Sequence, residues 1–358
     1  MEQAVLFLIT LIFAALGGLL GHKLKLPVGG LVGAMMATIV FHLFFVPALD
    51  VPHGMQLVLQ IPLGAMIGSR VTREDVLSLK TLIKPVVTIV SVMLVCNLAI
   101  GAFLFRVSNL NAATSFFAVA PGGMVDMAII AADFGANAAY VALLQLVRNV
   151  LVIVLILPVY RYAMKKMGVR AQRDVPDKNF TEEAVSIAPK GIAELQRVGE
   201  TLFFSGAFGM LLWVLRVPAG AVIGAMIGAG AYGVVTGRAR FPQGLRLPLQ
   251  ILAGFFIGVR MDRESLFMMG ELLLPLVIVL IYVCLVTFVT AYFVHKWTGL
   301  DLPMSLLAST PGGMVEMAML ADELGVEAPK VTVIHTARLI SVILFFPLIL
   351  AYVVQRIG

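Results

Sequence analysis

Long stretches without a charged residue recur along the whole chain. Residues 26–49 and 272–295 each comprise 24 residues with no Asp, Glu, Lys or Arg. About 20 apolar residues suffice to cross a bilayer, and lipid admits only segments that satisfy their own backbone hydrogen bonds, which favours helices. Only 13% of the residues are charged, against about 25% in soluble domains. We therefore expect an all-α polytopic membrane protein.

The chain is also an internal duplication. The sequence PGGMVDMA at residues 121–128 recurs 190 residues later as PGGMVEMA, with a change at one of eight positions. The same spacing relates Arg148 to Arg338. A matched pair of interrupted apolar segments is the sequence feature that best indicates the binding site of a transporter. The predicted organisation is a first membrane repeat, a basic cytoplasmic linker and a second membrane repeat, over residues 1–160, 161–198 and 199–358.

Each repeat contains about five predicted membrane spans. Their bounds are 4–20, 28–46, 55–69, 82–105 and 139–160 in the first repeat, and 201–215, 218–236, 245–259, 272–294 and 330–353 in the second. Segments 112–134 and 303–324 carry the two motifs and are either re-entrant hairpins or full broken spans. The loops after the first and third spans are rich in Lys and Arg, which places them in the cytoplasm. Segment 112–134 then enters and leaves from one face, and five crossings invert the second repeat relative to the first.

Glycines four positions apart mark predicted contacts between helices. Gly64-x3-Gly68 and Gly254-x3-Gly258 are two such pairs, and the duplication relates one to the other. In lipid, close backbone approach at small residues drives helix association, so we interpret these glycines as packing positions. The two third spans that contain them stand apart from the other spans, because each is short, also contains a proline and ends at an arginine.

The two Pro-Gly-Gly sequences predict the substrate site. Proline removes a backbone donor and glycine permits unusual backbone conformations, so a helix breaks there. Such a break must face protein or a water-filled cavity, and the helix that resumes presents a positive N-terminus suited to an anion. An arginine deep in the last span of each repeat costs at least about 2.5–3.5 kcal/mol, which favours a functional partner. The predicted substrate-binding residues are Pro121, Gly122, Gly123, Met124 and Arg148, with Pro311, Gly312, Gly313, Met314 and Arg338.

Four further residues form the predicted ion-coupling site. Asp126 and Glu316 lie in the first turn after each break, where a carboxylate either binds a cation or proton or caps the helix. Gln145 and His335 lie three residues before each arginine and hence on the same helix face. His335 either accepts a proton near neutral pH or serves as a hydrogen-bonded packing residue. The acids and the arginines are the expected partners of each other, within one repeat or across the two.

Other classes of protein find less support. The 2 Cys and 5 His show no metal-ligand spacing, so we predict neither a metal site nor a cofactor. The sequence lacks a nucleophile–base pair that would favour an enzyme. It also lacks a P-loop with which the chain could power transport by hydrolysing ATP. Much of the net charge of +6 lies in loops that flank the spans, so it reports topology and does not indicate nucleic-acid binding.

With both motifs and both downstream arginines in view, the chain resembles the AbrB-type membrane family. Those proteins are internally duplicated, lie in the bacterial inner membrane and are often labelled as ammonia monooxygenases or regulators. The resemblance covers residues 1–165 and 199–358 and implies a multi-pass location in that membrane. The inverted repeat with hairpins is also similar in architecture to the sodium/glutamate and sodium/citrate symporters, in which a second domain forms the dimer interface.

These features together favour a secondary transporter. The predicted function is transport of a small anionic solute coupled to H⁺ or Na⁺, with the site at the two broken helices near the bilayer midplane. The predicted partners are that solute, the lipid bilayer and, if the protein is a homodimer, a second copy of the chain. The alternatives are a membrane sensor or regulatory protein without transport and, least favoured, a membrane enzyme.

Overall fold

The computed structural model describes residues 2–26, 28–45, 57–152, 160, 192–259, 270, 272–312, 317, 320–321 and 324–357. Every regular element within these residues is a helix. In chain order the helices are α1 (Glu2–Lys23), α2 (Gly29–Phe45), α3 (Leu57–Gly68), α4 (Arg73–Val107), α5 (Ala112–Val119), α6 (Met124–Asp133), α7 (Ala138–Leu151), α8 (Ile192–Val214), α9 (Gly220–Thr236), α10 (Arg246–Val259), α11 (Leu273–Thr298), α12 (Leu302–Ser309) and α13 (Ala328–Ile357).

Four of the described helices are long and apolar enough to cross a membrane. They are α1, α4, α11 and α13, with the apolar parts Val5–Lys23, Lys80–Val107, Leu273–Thr298 and Ala328–Val353. Helices α2, α3, α7, α9 and α10 are also apolar but shorter. These helices indicate a membrane protein of the expected all-α class. The number of crossings, the inverted repeat and the re-entrant hairpins stay predictions.

Two helices extend well beyond their predicted spans. Helix α4 begins at Arg73, well before the predicted start at residue 82, and α8 begins at Ile192, inside the region predicted as a linker. The extension of α4 carries Glu74 and Asp75 in its first turn, where acidic side chains stabilise a helix N-terminus. A hydropathy argument finds only the part of a helix that lipid could surround, so these charged ends were missed. The rest of the predicted linker, 161–191, lies outside the described residues.

The chain divides into two compact units, and each draws on both repeats. Unit 1 comprises residues 1–73, 125–142 and 181–272, and unit 2 comprises residues 74–124, 143–180 and 273–358. In unit 1, α2 packs along α10 and α3 along α9, while α1 packs on α2 and α8 on α9. Exchanging α1, α2 and α3 with α8, α9 and α10 reproduces the same set of contacts. The duplicated sequence therefore forms a duplicated packing arrangement.

Two glycines show why this packing needs small residues. A Cβ atom at Gly64 in α3 would lie 2.4 Å from the carbonyl oxygen of Val222 in α9. At the duplicated position in α10, a Cβ atom at Gly254 would lie 2.4 Å from the carbonyl oxygen of Leu31 in α2. Both distances are too short for a real contact, so these backbones can approach only at glycine. The predicted packing role of these two glycines is confirmed.

Unit 2 contains the short helices α5 and α12, whose residues are nearly all buried. Helix α5 begins after Asn111, whose side-chain oxygen accepts a hydrogen bond from the amide of Thr114 at 2.8 Å and so caps the helix. Phe117 in α5 packs edge to face against Phe346 in α13, with 5.6 Å between the ring centroids. A short helix of the first repeat thus contacts the last helix of the second.

Candidate functional site

The first Pro-Gly-Gly sequence separates two helices. Helix α5 ends at Val119 and α6 begins at Met124. Ala120, before the proline, has φ −57° and ψ 134°, because the proline ring disfavours helical geometry at the preceding residue. The last carbonyl groups of α5 have no partners inside the helix. Other groups must satisfy them, since this part of the chain is buried.

Arg148 and Gln145 in α7 supply those partners. The Arg148 guanidinium donates from Nη1 to the Ala120 carbonyl at 2.6 Å and from Nη2 to the Gly122 carbonyl at 2.9 Å. Gln145 donates to the Phe117 carbonyl at 2.8 Å and accepts from Arg148 Nη2 at 2.9 Å. Arg148 is only 1% exposed. A cation at the C-terminal end of a helix also offsets the negative end of the helix dipole, so the two side chains cap α5.

The second break is held by equivalent hydrogen bonds. Arg338 in α13 donates from Nη1 to the Thr310 carbonyl at 2.8 Å and from Nη2 to Nδ1 of His335 at 3.1 Å. His335 donates from Nε2 to the Leu307 carbonyl at 2.9 Å. Each of these four residues lies 190 positions after its counterpart at the first break. The duplication is therefore preserved down to individual hydrogen bonds.

These bonds select one tautomer of His335. Its Nδ1 atom must accept, because guanidinium nitrogens only donate, and its proton therefore lies on Nε2. A second proton on Nδ1 would face the donor of Arg338 and break that bond. Within this geometry the ring is neutral. Like the Gln145 amide at the first break, it donates one hydrogen bond to a backbone carbonyl and accepts one from the arginine. The arrangement favours the packing role over proton transfer for His335.

Arg148 and Arg338 form what we term the buried arginine pair, because their charges lie within electrostatic reach of each other. Neither forms an ion pair with a carboxylate in the described part of the chain, and Nε of Arg148 is buried without a hydrogen-bond partner. The hydroxyl of Tyr282, which is hydrogen bonded to Asn97, also lies within electrostatic reach of Arg148. Two buried positive charges that act on each other repel. An anion bound beside them would offset that repulsion.

Asp126, the acid of the first motif, belongs to unit 1, whereas the arginine pair belongs to unit 2. Asp126 is 8% exposed, and its Oδ1 atom is buried without a hydrogen-bond partner. Its electrostatic neighbours in unit 1 are Arg70, just after α3, and Arg246, at the start of α10. Gln60 in α3 donates to the Asp133 carboxylate in α6 at 2.7 Å. The arginines near this acid in its own unit are thus not the two that we expected from the motifs.

The other predicted residues fall into three groups. Four surround the first break: Pro121, Gly122, Gly123 and Met124. At the second break, Gly312 follows Pro311, and a Cβ atom on Gly312 would lie 3.0 Å from Cε of Met317. Three lie outside the described residues: Gly313, Met314 and Glu316. Among the residues that the structure describes, no group of three metal-ligand side chains is present.

Sequence reasoning passed over several members of these clusters. Asn97 lies in the apolar part of α4, and Tyr282 reaches it from α11. A lone amide inside an apolar span is a signal that could have identified Asn97. Arg246 corresponds to Gln56 in the first repeat, so a search for duplicated residues does not find it. Arg70 was visible as a duplicated arginine but had no assigned role.

Comparison with known proteins identifies relatives over most of the chain. The profile of the family described as "Transition state regulatory protein AbrB" matches residues 1–164 and 78–354. The protein named "Putative regulator AbrB" from Escherichia coli (strain K12) is 25% identical over 334 residues, which cover 92% of this chain and 90% of that protein. "Uncharacterized protein YhjN" from Bacillus subtilis (strain 168) is 27% identical over 301 residues, covering 80% of this chain and 76% of that protein. No solved structure matches the chain significantly.

Proposed function

This chain belongs to the AbrB family, and we propose that it is a secondary transporter of a small anion in the bacterial inner membrane, coupled to H⁺ or Na⁺. The buried arginine pair carries the proposal. Its two positive charges are almost fully buried, lie within electrostatic reach of each other and have no carboxylate partner among the described residues. A small anion is the ligand that such a place would bind most favourably. The proposal includes no enzymatic step, cofactor or metal.

The hydrogen bonds of the arginines support the same function. Each arginine holds the end of a short helix, and the carbonyl groups it binds offset part of the cost of its burial. Arg148 still has an unused donor at Nε. A guanidinium held rigidly by the backbone, with a donor to spare, is preorganised to bind an anion without rearranging.

The duplication supports alternating access. In this proposal the two repeats are inverted, and the segments around the two Pro-Gly-Gly sequences are re-entrant hairpins that carry the site near the bilayer midplane. The exchange symmetry of the contacts in unit 1 and the matched bonds at the breaks are the observations behind it. Coupling is assigned to the acids Asp126 and Glu316, with Gln145 and His335 supporting the arginines.

A thermal-shift screen of the purified full-length protein tests anion binding. We expect at least one probe among acetate, lactate, phosphate, phosphonoacetate and sulfate to raise the melting temperature, with or without Na⁺, because a ligand that binds only the folded state stabilises it. The shift should be lost in Arg148→Gln and Arg338→Gln. It should persist in the matched control Lys330→Gln, which removes an exposed charge from α13.

Two results would contradict the proposal. One is a wild-type protein that none of these anions stabilises. The other is an anion-dependent shift of equal size in the wild type and in both arginine variants, which would assign the arginines to capping alone.

The name of the Escherichia coli relative supports a second candidate, a membrane regulator without transport. That relative aligns over 90% of its own length, so a regulatory activity would have to use these same helices. The two candidates differ in what the purified protein does alone. A transporter moves solute across a liposome membrane without any partner, whereas a regulator moves none.

A further inference from the structure

Asp126 and two arginines near it in unit 1 are not members of the buried arginine pair that we propose to bind the anion. Asp126 lies in the first turn of α6, at 8% exposure, with a buried Oδ1 atom that bonds to nothing. Arg70 and Arg246 lie within electrostatic reach of its carboxylate, and both side chains are exposed. The carboxylate therefore experiences two positive charges, yet its buried oxygen bonds to neither arginine. An internal anion held so loosely is one that a solute could replace.

The elements around Asp126 are tied together within unit 1. Gln60 in α3 donates to Asp133 in α6 at 2.7 Å, which links the helix of the acid to the helix that precedes Arg70. Helices α3 and α10 are also in contact, and α10 begins with Arg246. Within the described residues, the charged groups that act on Asp126 are Arg70, from the end of α3, and Arg246, from α10. Asp133 lies about two turns further along α6 and is bonded to Gln60.

We propose a proton-gated anion site formed by Asp126, Arg70 and Arg246. The ionised carboxylate of Asp126 offsets the positive charge of the two arginines. When the carboxylate is protonated, the arginines are free to bind a solute oxyanion. The inference rests on the proposed function and deepens it by naming H⁺ as the coupling ion. The charges balance. With Asp126 ionised, the three groups carry one net positive charge. With Asp126 protonated and one monoanion bound, they carry the same charge, so one proton accompanies each monoanion.

The duplication assigns this role to one half only. Arg70 and Asp126 correspond to Arg260 and Glu316, which lie outside the described residues, but Arg246 corresponds to Gln56. The duplication thus supplies an arginine in place of Arg70 but a glutamine in place of Arg246. The two acids should therefore be unequal, with Asp126 as the coupling acid.

Infrared difference spectroscopy of the full-length protein in lipid nanodiscs tests this inference. The probe is sulfate, a dianion whose charge does not change across the neutral pH range. With one proton on Asp126, bound sulfate makes the net charge of the site zero. We expect sulfate to increase the protonated-carboxyl band of the wild type at constant pH, with uptake of protons from a weakly buffered medium. Asp126→Asn should remove both the band change and the proton uptake. Arg70→Gln and Arg246→Gln should bind sulfate at least tenfold more weakly than the wild type.

Lys330→Gln is the matched control, because it removes an exposed positive charge of α13 and leaves these three residues intact. It should retain the sulfate-induced band change. The inference is overturned if sulfate leaves the wild-type band unchanged, or if Asp126→Asn takes up as many protons as the wild type. If such a protein still moves anions without a proton gradient, and this flux requires Arg148, the proposed transport function is retained and only the proton coupling is contradicted. Conversely, an Asp126-dependent band change in a protein that moves no solute would support the site and contradict transport.

Discussion

At the scale of single residues, each buried arginine combines a structural and an electrostatic role. Hydrogen bonds to a charged group contribute about 1.5–3 kcal/mol each, and Arg148 makes three that stabilise its buried position. The partners are backbone carbonyls at a helix end and one amide. We expected a carboxylate as the partner, because sequence patterns compare side chains and do not reveal which carbonyls a broken helix leaves free. Among the described residues no carboxylate pairs with this charge, which is why an anion is the proposed ligand.

A swap between the repeats tests the capping role of His335. In His335→Gln, the amide can donate to the Leu307 carbonyl and accept from Arg338, as Gln145 does at the first break, so we expect a melting temperature close to that of the wild type. His335→Ala leaves a guanidinium donor of Arg338 unpaired and leaves the Leu307 carbonyl with only a long hydrogen bond, 3.4 Å, from the Thr310 amide. It should lower the free energy of unfolding by about 1–3 kcal/mol. Unfolding in mixed micelles measures both. Equal damage from Gln and Ala would contradict the role as a neutral hydrogen-bonding group.

At the scale of elements, the helices followed from the lengths of the apolar stretches, and the break between α5 and α6 followed from the first Pro-Gly-Gly sequence. Helices α9 and α10, for example, begin and end within two residues of their predicted spans. The charged start of α4 and the polar start of α8 did not follow, because backbone hydrogen bonding continues beyond the apolar part of the sequence. Which helices pair was also unpredictable, since α2 and α10 are distant in sequence. The glycines showed only that some close contact exists.

Enlarging one of those glycines tests the packing of unit 1. Gly64→Val places a side chain where a Cβ atom would already lie 2.4 Å from the Val222 carbonyl oxygen. We expect the free energy of unfolding to fall by about 1–3 kcal/mol or more, and Gly254→Val should behave alike. The control is Gly206→Ala in α8, where nothing lies within 4 Å of the added atom. The free energy of unfolding of that control should be unchanged or rise by about 0.5–1 kcal/mol. A Gly64→Val protein as stable as the Gly206→Ala control would contradict this packing.

At the scale of the whole molecule, the two repeats are interleaved and not arranged as separate halves. Each compact unit takes segments from both repeats. Duplication in the sequence predicts that equivalent helices pack in equivalent ways, but it does not say whether they pack within a repeat or between repeats. In unit 1 the pairs α2–α10 and α3–α9 join the repeats. Any two-fold relation between the repeats produces this exchange, and their inversion stays a prediction.

Labelling of single cysteines tests the proposed inversion. Asn109, just before α5, and Asp301, just before α12, are both exposed and stand at the entries to the two broken segments. The proposal predicts that Asn109→Cys and Asp301→Cys react with a membrane-impermeant reagent from opposite faces of the membrane. Both variants are made in a background with Cys96 and Cys284 replaced by Ala. Labelling of both from the same face would contradict the inverted repeat.

Transport measured in proteoliposomes tests the central claim most directly. The full-length protein is reconstituted, and uptake of the anion identified by thermal shift is followed under an H⁺ or Na⁺ gradient. We predict concentrative uptake by the wild type and none by Arg148→Gln or Arg338→Gln. Arg148→Lys should rescue poorly, because Lys lacks the fork that reaches both the Ala120 and Gly122 carbonyls. Wild-type liposomes without gradient-driven uptake, or equal uptake by both Gln variants, would contradict the account.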